Sequence, residues 1–172
     1  MFVATGANFP DALAGAPASA VIGGPLLLVT ASATPPATRA ELSYLKPKRI
    51  VILGGPSVVS STVAAQLDGF TTGPVSRWSG ADRFATASTI ATQAFSSAGS
   101  VFVANGLGFP DALAGGPSAG AFGAPLVLTA PGSLPTASRQ QLTRLKPVRV
   151  FVLGGPAVVS ESVVNQVRQL FP

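Results

Sequence analysis

Arginine is the residue type in this chain that is best suited to binding an anion. Arg77 and Arg83 flank a Ser-Gly-Ala-Asp segment, and Arg39 has a counterpart at Arg139, one hundred positions later. A guanidinium group can hold a phosphate or carboxylate through two parallel hydrogen bonds. These four residues are therefore candidate contacts to an anionic ligand. The alternatives are solvated helix faces for Arg39 and Arg139, and a carboxylate partner at the repeat junction for Arg83.

Two carboxylates and two amides lie close to predicted helix starts, at Asn8, Asp11, Asn105 and Asp111. Such groups can bind ligand hydroxyls or balance a ligand cation. Asp11 and Asp111 each follow a proline, and an acid in the first turn of a helix also stabilises the helix dipole. A purely structural role is therefore the alternative for both acids.

The residue types of most enzymes are missing from the sequence. There is no histidine and no cysteine, which removes the commonest general base and the commonest metal ligands. Glycoside hydrolysis needs two carboxylates in one site, whereas Asp11 and Asp111 belong to two equivalent sites. The glycine pairs at 54–55 and 154–155 lack nucleotide-loop spacing and predict tight turns, with phosphate binding as the alternative. No catalytic residue, metal or cofactor is predicted.

Composition narrows the choice of partner. A net charge of +5 favours an acidic polymer, a nucleic acid or a membrane surface. The basic residues are not interleaved with stacking aromatics, so no specific nucleic acid is expected. Uncharged stretches at 12–38 and 112–138 are long enough to cross a bilayer, but proline and glycine interrupt both. Each is predicted to form a buried helix and a buried strand, with no membrane span.

The chain is an internal repeat, because residues 2–67 align with 102–167 without a gap and about half of the pairs are identical. Each copy alternates apolar strands with helices, which predicts an α/β fold with short parallel sheets flanked by helices. Strands are predicted at 2–5, 26–29, 49–53, 75–78, 101–104, 126–129 and 149–153. Helices are predicted at 10–22, 34–46, 61–67, 79–97, 110–122, 135–145 and 160–170, capped where the sequence offers it by Thr34, Ser60 and Ser79.

The two copies are not equally complete. Residues 1–74 are predicted to form an incomplete repeat without its first helix, and residues 75–172 a complete one. The chain is accordingly expected to be a fragment, with exposed apolar surface on the sheet of residues 2–53. Ligands of parallel sheets bind at the carboxyl ends of the strands, which places the expected site in loops such as 5–10 and 54–57.

Four motifs, Phe-Pro-Asp-Ala-Leu-Ala-Gly, Gly-Pro-Leu-Leu-Leu, Leu-Gly-Gly-Pro and Arg-Trp-Ser-Gly-Ala-Asp-Arg-Phe, together resemble the cell-wall-binding repeat 2 family of Gram-positive surface proteins. The resemblance covers essentially the whole chain. It implies tandem Rossmann-like repeats, usually three in a triangular assembly. It also implies a non-catalytic module that anchors a secreted protein non-covalently to an anionic cell-wall polymer, teichoic-acid-like or polysaccharide. The export signal would lie outside this fragment.

In that family a proline followed by aliphatic residues is associated with anchoring. The matching positions are Pro25, Leu26, Leu27 and Leu28 in the first copy, and Pro125, Leu126, Val127 and Leu128 in the second. Read as residues alone, both segments are typical of core strands. Two copies are fewer than the usual three, so further repeats of the parent chain or a homo-oligomer are expected partners. A self-associating scaffold that displays another domain is the alternative function.

Overall fold

Strands and helices alternate along the whole chain. The computed structural model describes residues 1–171, which form seven strands and seven helices. The strands are β1 (Phe2–Thr5), β2 (Leu26–Val29), β3 (Ile50–Leu53), β4 (Val75–Trp78), β5 (Ser100–Asn105), β6 (Leu126–Thr129) and β7 (Arg149–Val152). The helices are α1 (Pro10–Ile22), α2 (Pro36–Leu45), α3 (Ser61–Asp68), α4 (Arg83–Ala94), α5 (Pro110–Ala121), α6 (Thr136–Leu145) and α7 (Glu161–Arg168). The predicted α/β class is confirmed.

The strands form two parallel sheets, which define a first and a second unit. The first sheet has the order β2-β1-β3-β4 and the second has the order β6-β5-β7. Their registers repeat, since Phe2 lies beside Leu26 as Phe102 lies beside Leu126. The central strands are buried on both faces, as expected where helices cover a parallel sheet. All strands of one sheet therefore end at the same edge.

The predicted start of α4 is wrong. The helix begins at Arg83, and its N-cap is Asp82, whose Oδ1 accepts a hydrogen bond from the Ala85 N–H at 2.7 Å. Ser79 lies in the preceding loop instead. The helix also ends earlier than predicted, at Ala94, because Phe95 adopts an extended backbone conformation.

The start of α2 also differs from the prediction. Pro36 occupies the first turn and Pro35 is the extended N-cap residue, so Thr34 lies one residue outside the helix. Consecutive prolines explain the shift, because a residue before proline avoids the helical region. The predicted cap of α3 is confirmed, since Ser60 Oγ accepts a hydrogen bond from the Val63 N–H.

The segment that joins the two units contributes to both. Strand β4 pairs with β3 in the first sheet, with Leu53 beside Trp78. Helix α4, which follows directly, packs on β6 and α6 of the second unit and on α1 of the first. The predicted boundary at residues 74 and 75 remains a prediction, and hydrogen bonds of the first sheet cross it.

Small residues bring the two units close together. Helices α1 and α5 pack against each other, and a methyl group added at Gly120 would stand 3.0 Å from the Ala20 Cβ. Glycine at this position therefore permits the close approach. Within residues 1–171, no helix has both the length and the apolar character needed to cross a membrane.

Equivalent side chains are covered to different extents in the two units. Leu128 on β6 is 1% exposed beneath α4, whereas Leu28 on β2 is 49% exposed. Likewise Leu145 on α6 is 7% exposed and Leu45 on α2 is 38% exposed. The apolar surface predicted on the first sheet is therefore present.

Candidate functional site

A cavity of about 190 Å³ opens at the carboxyl ends of β1, β3 and β4. We call it the crest cavity. Its walls are the loop before α1, the turn after β3 and the start of α4. The lining residues are Asn8, Pro10, Asp11, Gly55, Ser57, Val58, Gly80, Ala81, Asp82, Arg83 and Thr86. It lies at the sheet edge where ligands were predicted to bind.

Asp11 is half-buried at the base of this cavity, in the first turn of α1. Its carboxylate packs directly on Gly54, which has φ +99°. Burial raises the pKa of Asp11, and the positive charge of Arg83 partly opposes that shift. The carboxylate is thus placed to accept hydrogen bonds from a ligand at a cost in desolvation.

Asp11→Asn is expected to change how stability depends on pH. The pKa of Asp11 is raised in the folded chain above its ordinary value of 3.8, so folding takes up a proton between those two values. The stabilising contribution is complete below 3.8 and is lost as pH rises through the folded-state pKa. Relative to the wild type, the variant should therefore gain stability with rising pH in urea unfolding series. A difference that stays constant from pH 3 to pH 7 would contradict the effect.

Arg77 stabilises the turn after β3 and does not line the crest cavity. Its Nη1 donates a hydrogen bond to the Gly54 O at 2.7 Å, and the Gly54 N–H donates to the Trp78 O at 2.9 Å. Burial lowers the pKa of Arg77. The geometry therefore favours a structural role, in which Arg77 fixes the turn that supports Asp11.

Arg83 reaches from the first unit to the second. Its Nη1 donates a hydrogen bond to the Gly106 O at 2.7 Å, and the guanidinium carbon lies 6.0 Å from the centre of the Phe9 ring. Phe9 in turn contacts Phe109, with ring centres 5.8 Å apart. Among the described residues Nη1 makes the only side-chain hydrogen bond of Arg83. Nε and Nη2 therefore keep donors for an anion in the cavity.

The second unit does not reproduce this arrangement. Asp111 again lies against a glycine of positive φ, Gly154, but no segment equivalent to 79–86 walls it among residues 1–171. Gly154 is exposed where Gly54 is buried. Asn105 accepts a hydrogen bond from the Leu107 N–H in its own loop. Asp111 and Asn105 are therefore separate from the crest cavity.

The two paired arginines are also separate from it. Arg39 Nε donates a hydrogen bond to the Thr34 O at 2.9 Å, and Arg139 Nη2 donates to the Gln166 Oε1 at 3.2 Å. Both side chains lie near the first turns of their own helices, α2 and α6. Arg39 is exposed and Arg139 is half-buried, so a solvated helix face describes Arg39 better than Arg139, and polymer contact by either residue stays a prediction.

The proline-aliphatic segments occupy strands β2 and β6. In the second unit Leu126, Val127 and Leu128 are core residues, each at most 1% exposed. In the first unit Leu26 and Leu27 are half-buried, and Pro25 and Leu28 are exposed. The second segment thus has the environment of a core strand, and the first is partly accessible.

Sequence reasoning missed part of the cavity wall. The sequence does not indicate Thr86, it places Ser57 only within the predicted loop 54–57, and it indicates Asp82 only as a residue at a helix start. Phe9, which contacts Arg83 but does not line the cavity, is not indicated either, although its recurrence at Phe109 is a usable signal. The loop 79–82 could not be placed opposite Asp11, because that proximity depends on β4 joining the first sheet.

The crest cavity combines one cation, two carboxylates, an amide and two hydroxyls. Such a mixture is suited to a ligand with several hydroxyl groups and a negative charge near Arg83. Among residues 1–171, no group of three or more carboxylate, histidine or cysteine side chains is arranged to hold a metal ion.

Comparison with known proteins gives the family. The family model described as Cell wall binding domain 2 matches residues 1–64 and 77–164. The chain belongs to the cell wall binding domain 2 family. The predicted family is confirmed, and the two matched ranges together cover most of the chain.

Two proteins of Bacillus subtilis are similar to this cell wall binding domain 2 chain. Identity is 32% over 161 residues with the amidase enhancer, covering 94% of this chain and 21% of that protein. It is 28% over 166 residues with N-acetylmuramoyl-L-alanine amidase LytC, covering 96% of this chain and 32% of that protein. The chain therefore spans between about a fifth and a third of these relatives.

Two solved structures from Clostridium difficile share the fold. Cwp6 superposes with a TM-score of 0.90 at 26% identity, covering 98% of this chain and 27% of that chain. Cwp8 superposes with a TM-score of 0.84 at 31% identity, covering 98% of this chain and 29% of that chain. These matches confirm the alternating helices and short parallel sheets.

Proposed function

We propose that this chain binds the cell wall non-covalently through an anionic, hydroxyl-bearing polymer, and that it holds a larger secreted protein at the cell surface. The observation that carries the proposal is the crest cavity, in which Arg83 stands beside Asn8 and Asp11. Membership of a cell-wall-binding family supports the choice of the wall as target.

The groups around the cavity have complementary tasks. Arg83 offers Nε and Nη2 donors to a phosphate or carboxylate of the polymer. The Asp11 carboxylate and the Asn8 and Ser57 side chains can exchange hydrogen bonds with sugar or polyol hydroxyls. Arg83 is also fixed in place by Gly106 O, so little side-chain entropy is lost when the anion binds.

Net charge supports the same ligand class. The chain carries 11 basic and 6 acidic residues, which gives a favourable long-range potential toward a polyanion. Exposed ionic contacts are screened by salt, so affinity for the wall should fall with ionic strength.

The proposed role is binding without catalysis. The two carboxylates of the cavity differ in role, because Asp82 already accepts the Ala85 N–H as a helix cap. Asp11 thus has no second free carboxylate beside it to share acid and base functions. Amidase activity in a parent protein would then belong to another domain.

Arg83→Gln is expected to weaken binding to purified cell walls about tenfold, since a hydrogen bond to a charged group contributes about 1.5 to 3 kcal/mol. Co-sedimentation at several salt concentrations measures the loss, and circular dichroism checks that the variant is folded. Arg168→Gln is the matched control, because it removes the same charge from an exposed position on α7. Equal binding by the two variants would contradict the site.

Walls stripped of anionic polymer test the ligand. Wild-type binding should drop to the level of Arg83→Gln on such walls. Undiminished sedimentation would instead point to the uncharged glycan.

A self-associating scaffold is the second candidate. Its support is a group of exposed apolar side chains near the start of α5, at Leu107, Phe109 and Leu113. Under this function the partner would be another repeat, and oligomers in light scattering would persist without any polymer. The exposed Pro25 and Leu28 would then contribute to assembly and not to polymer contact.

A further inference from the structure

The two units present an internal comparison between a covered face and an uncovered one. In the second unit α4 lies on the α6 face, formed by β6 and α6 with Leu128, Gln141, Arg144 and Leu145. One hundred positions earlier is the α2 face, formed by β2 and α2 with Leu28, Glu41, Tyr44 and Leu45. Both leucines of the α2 face are exposed. The α6 face therefore shows what kind of element fits on the α2 face.

Two polar residues of α6 hold α4 in place. Gln141 is 2% exposed, and its Oε1 accepts a hydrogen bond from the Thr92 hydroxyl at 3.0 Å. Arg144 Nη2 donates to the Phe95 O at 2.9 Å and to the Ala91 O at 3.3 Å. The last turn of α4 has no basic residue, so Arg144 supplies the positive charge that a helix C-terminus favours.

The α2 face carries a negative charge where the α6 face is neutral, and it lacks the positive charge of the α6 face. Glu41 stands where the second unit has Gln141, and Tyr44, which is 81% exposed, stands where it has Arg144. A helix docked on the α2 face in the same way as α4 would have the Glu41 carboxylate against its last turn. It would have no cation in the place of Arg144. Burying a carboxylate without a cationic partner is costly, and so is an anion beside a helix C-terminus.

We propose that the α2 face docks a helix of the α4 kind that carries its own basic residue at the position equivalent to Thr92. That residue would pair with the Glu41 carboxylate and complement the helix dipole. The small residues that α4 turns to its neighbours, such as Ala87 and Ala91, would let the helix lie close over Leu28. The same face would reject α4 itself. The proposal does not depend on polymer binding.

The test places a copy of residues 79–100 directly before Met1, in the register that joins α4 to β5. Two versions are compared, with Thr92→Lys or Thr92→Glu in the added copy only. The chain has no cysteine, so Leu28→Cys gives a single thiol whose labelling rate reports cover of the face. Labelling should be about tenfold slower in the lysine version than in the glutamate version. Glu41→Lys should reverse the order.

Ser162→Cys, on the exposed side of α7, is the control and should label at equal rates in both versions. Equal rates at Leu28→Cys, or an order that Glu41→Lys leaves unchanged, would overturn the proposal. So would labelling of the original chain that slows with protein concentration while dimers form, because a second copy would then cover the face.

Discussion

Trp78→Ala is expected to lower the free energy of unfolding by about 4 kcal/mol, the range observed when a large buried aromatic is truncated. Trp78 is 6% exposed at the end of β4, and its ring meets the Phe2 ring edge-on with centres 5.4 Å apart. The Arg49 guanidinium carbon also lies 5.7 Å from the ring centre. Truncation would leave a void in the core cluster that includes residues of both units.

Urea unfolding followed by circular dichroism measures this loss, since the variant lacks the only tryptophan of the chain. Tyr44→Ala is the control, because an exposed side chain away from packed contacts should change stability by less than about 0.5 kcal/mol. A loss below about 1 kcal/mol for Trp78→Ala would show that the first sheet does not depend on this ring.

Gly54→Ala is expected to cost about 3 kcal/mol. Gly54 has φ +99°, which is unfavourable for any residue with a Cβ. The added methyl group would also collide with the Asp11 carboxylate and stand 2.6 Å from the Val58 Cγ2. Strain and overpacking therefore act together, each at about 1 to 3 kcal/mol.

Two further glycine variants, measured by the same urea unfolding, distinguish backbone strain from overpacking. Gly154→Ala shares the positive φ, but its position is exposed and the nearest atom, Asp111 Oδ2, is 2.9 Å away, so its cost should be smaller. Gly55→Ala meets nothing closer than 3.9 Å and should have little effect. Equal losses at 54 and 154 would mean that φ alone decides, and that packing on Asp11 is unimportant.

The sequence predicts the elements well because their signals are local. The segments that form β1, β2, β4 and β6 are predicted with the observed boundaries, and three of the four, all except β4, are runs of mainly apolar residues. Caps were less predictable, since Asp82 replaced Ser79 once the loop before α4 folded against the crest. No local pattern shows that β4 joins one sheet while α4 covers the other, because that arrangement depends on long-range packing.

The candidate site was predicted in part for the same reason. Asn8, Asp11 and Arg83 meet in the crest cavity, because each lies at a strand end or a helix start. Arg39 and Asp111 are also candidates from the sequence, and the structure places them away from the crest cavity. A repeat implies equal roles for equivalent residues. The cavity beside Asp11 is closed by the segment between β4 and α4, and no equivalent segment lies beside Asp111 among residues 1–171.

The division of β4 and α4 between the two units bears on how such proteins grow by gene duplication. The period of one hundred residues does not coincide with a compact body, because the segment that joins the two units places β4 in the first sheet and α4 on the second. Inserting a whole period supplies both a face that can receive a helix and a helix that can cover the next face. An inserted period must also match the charge of the face that receives its helix, as the difference between Glu41 and Gln141 shows, whereas half a period would leave an unpaired strand or a bare face.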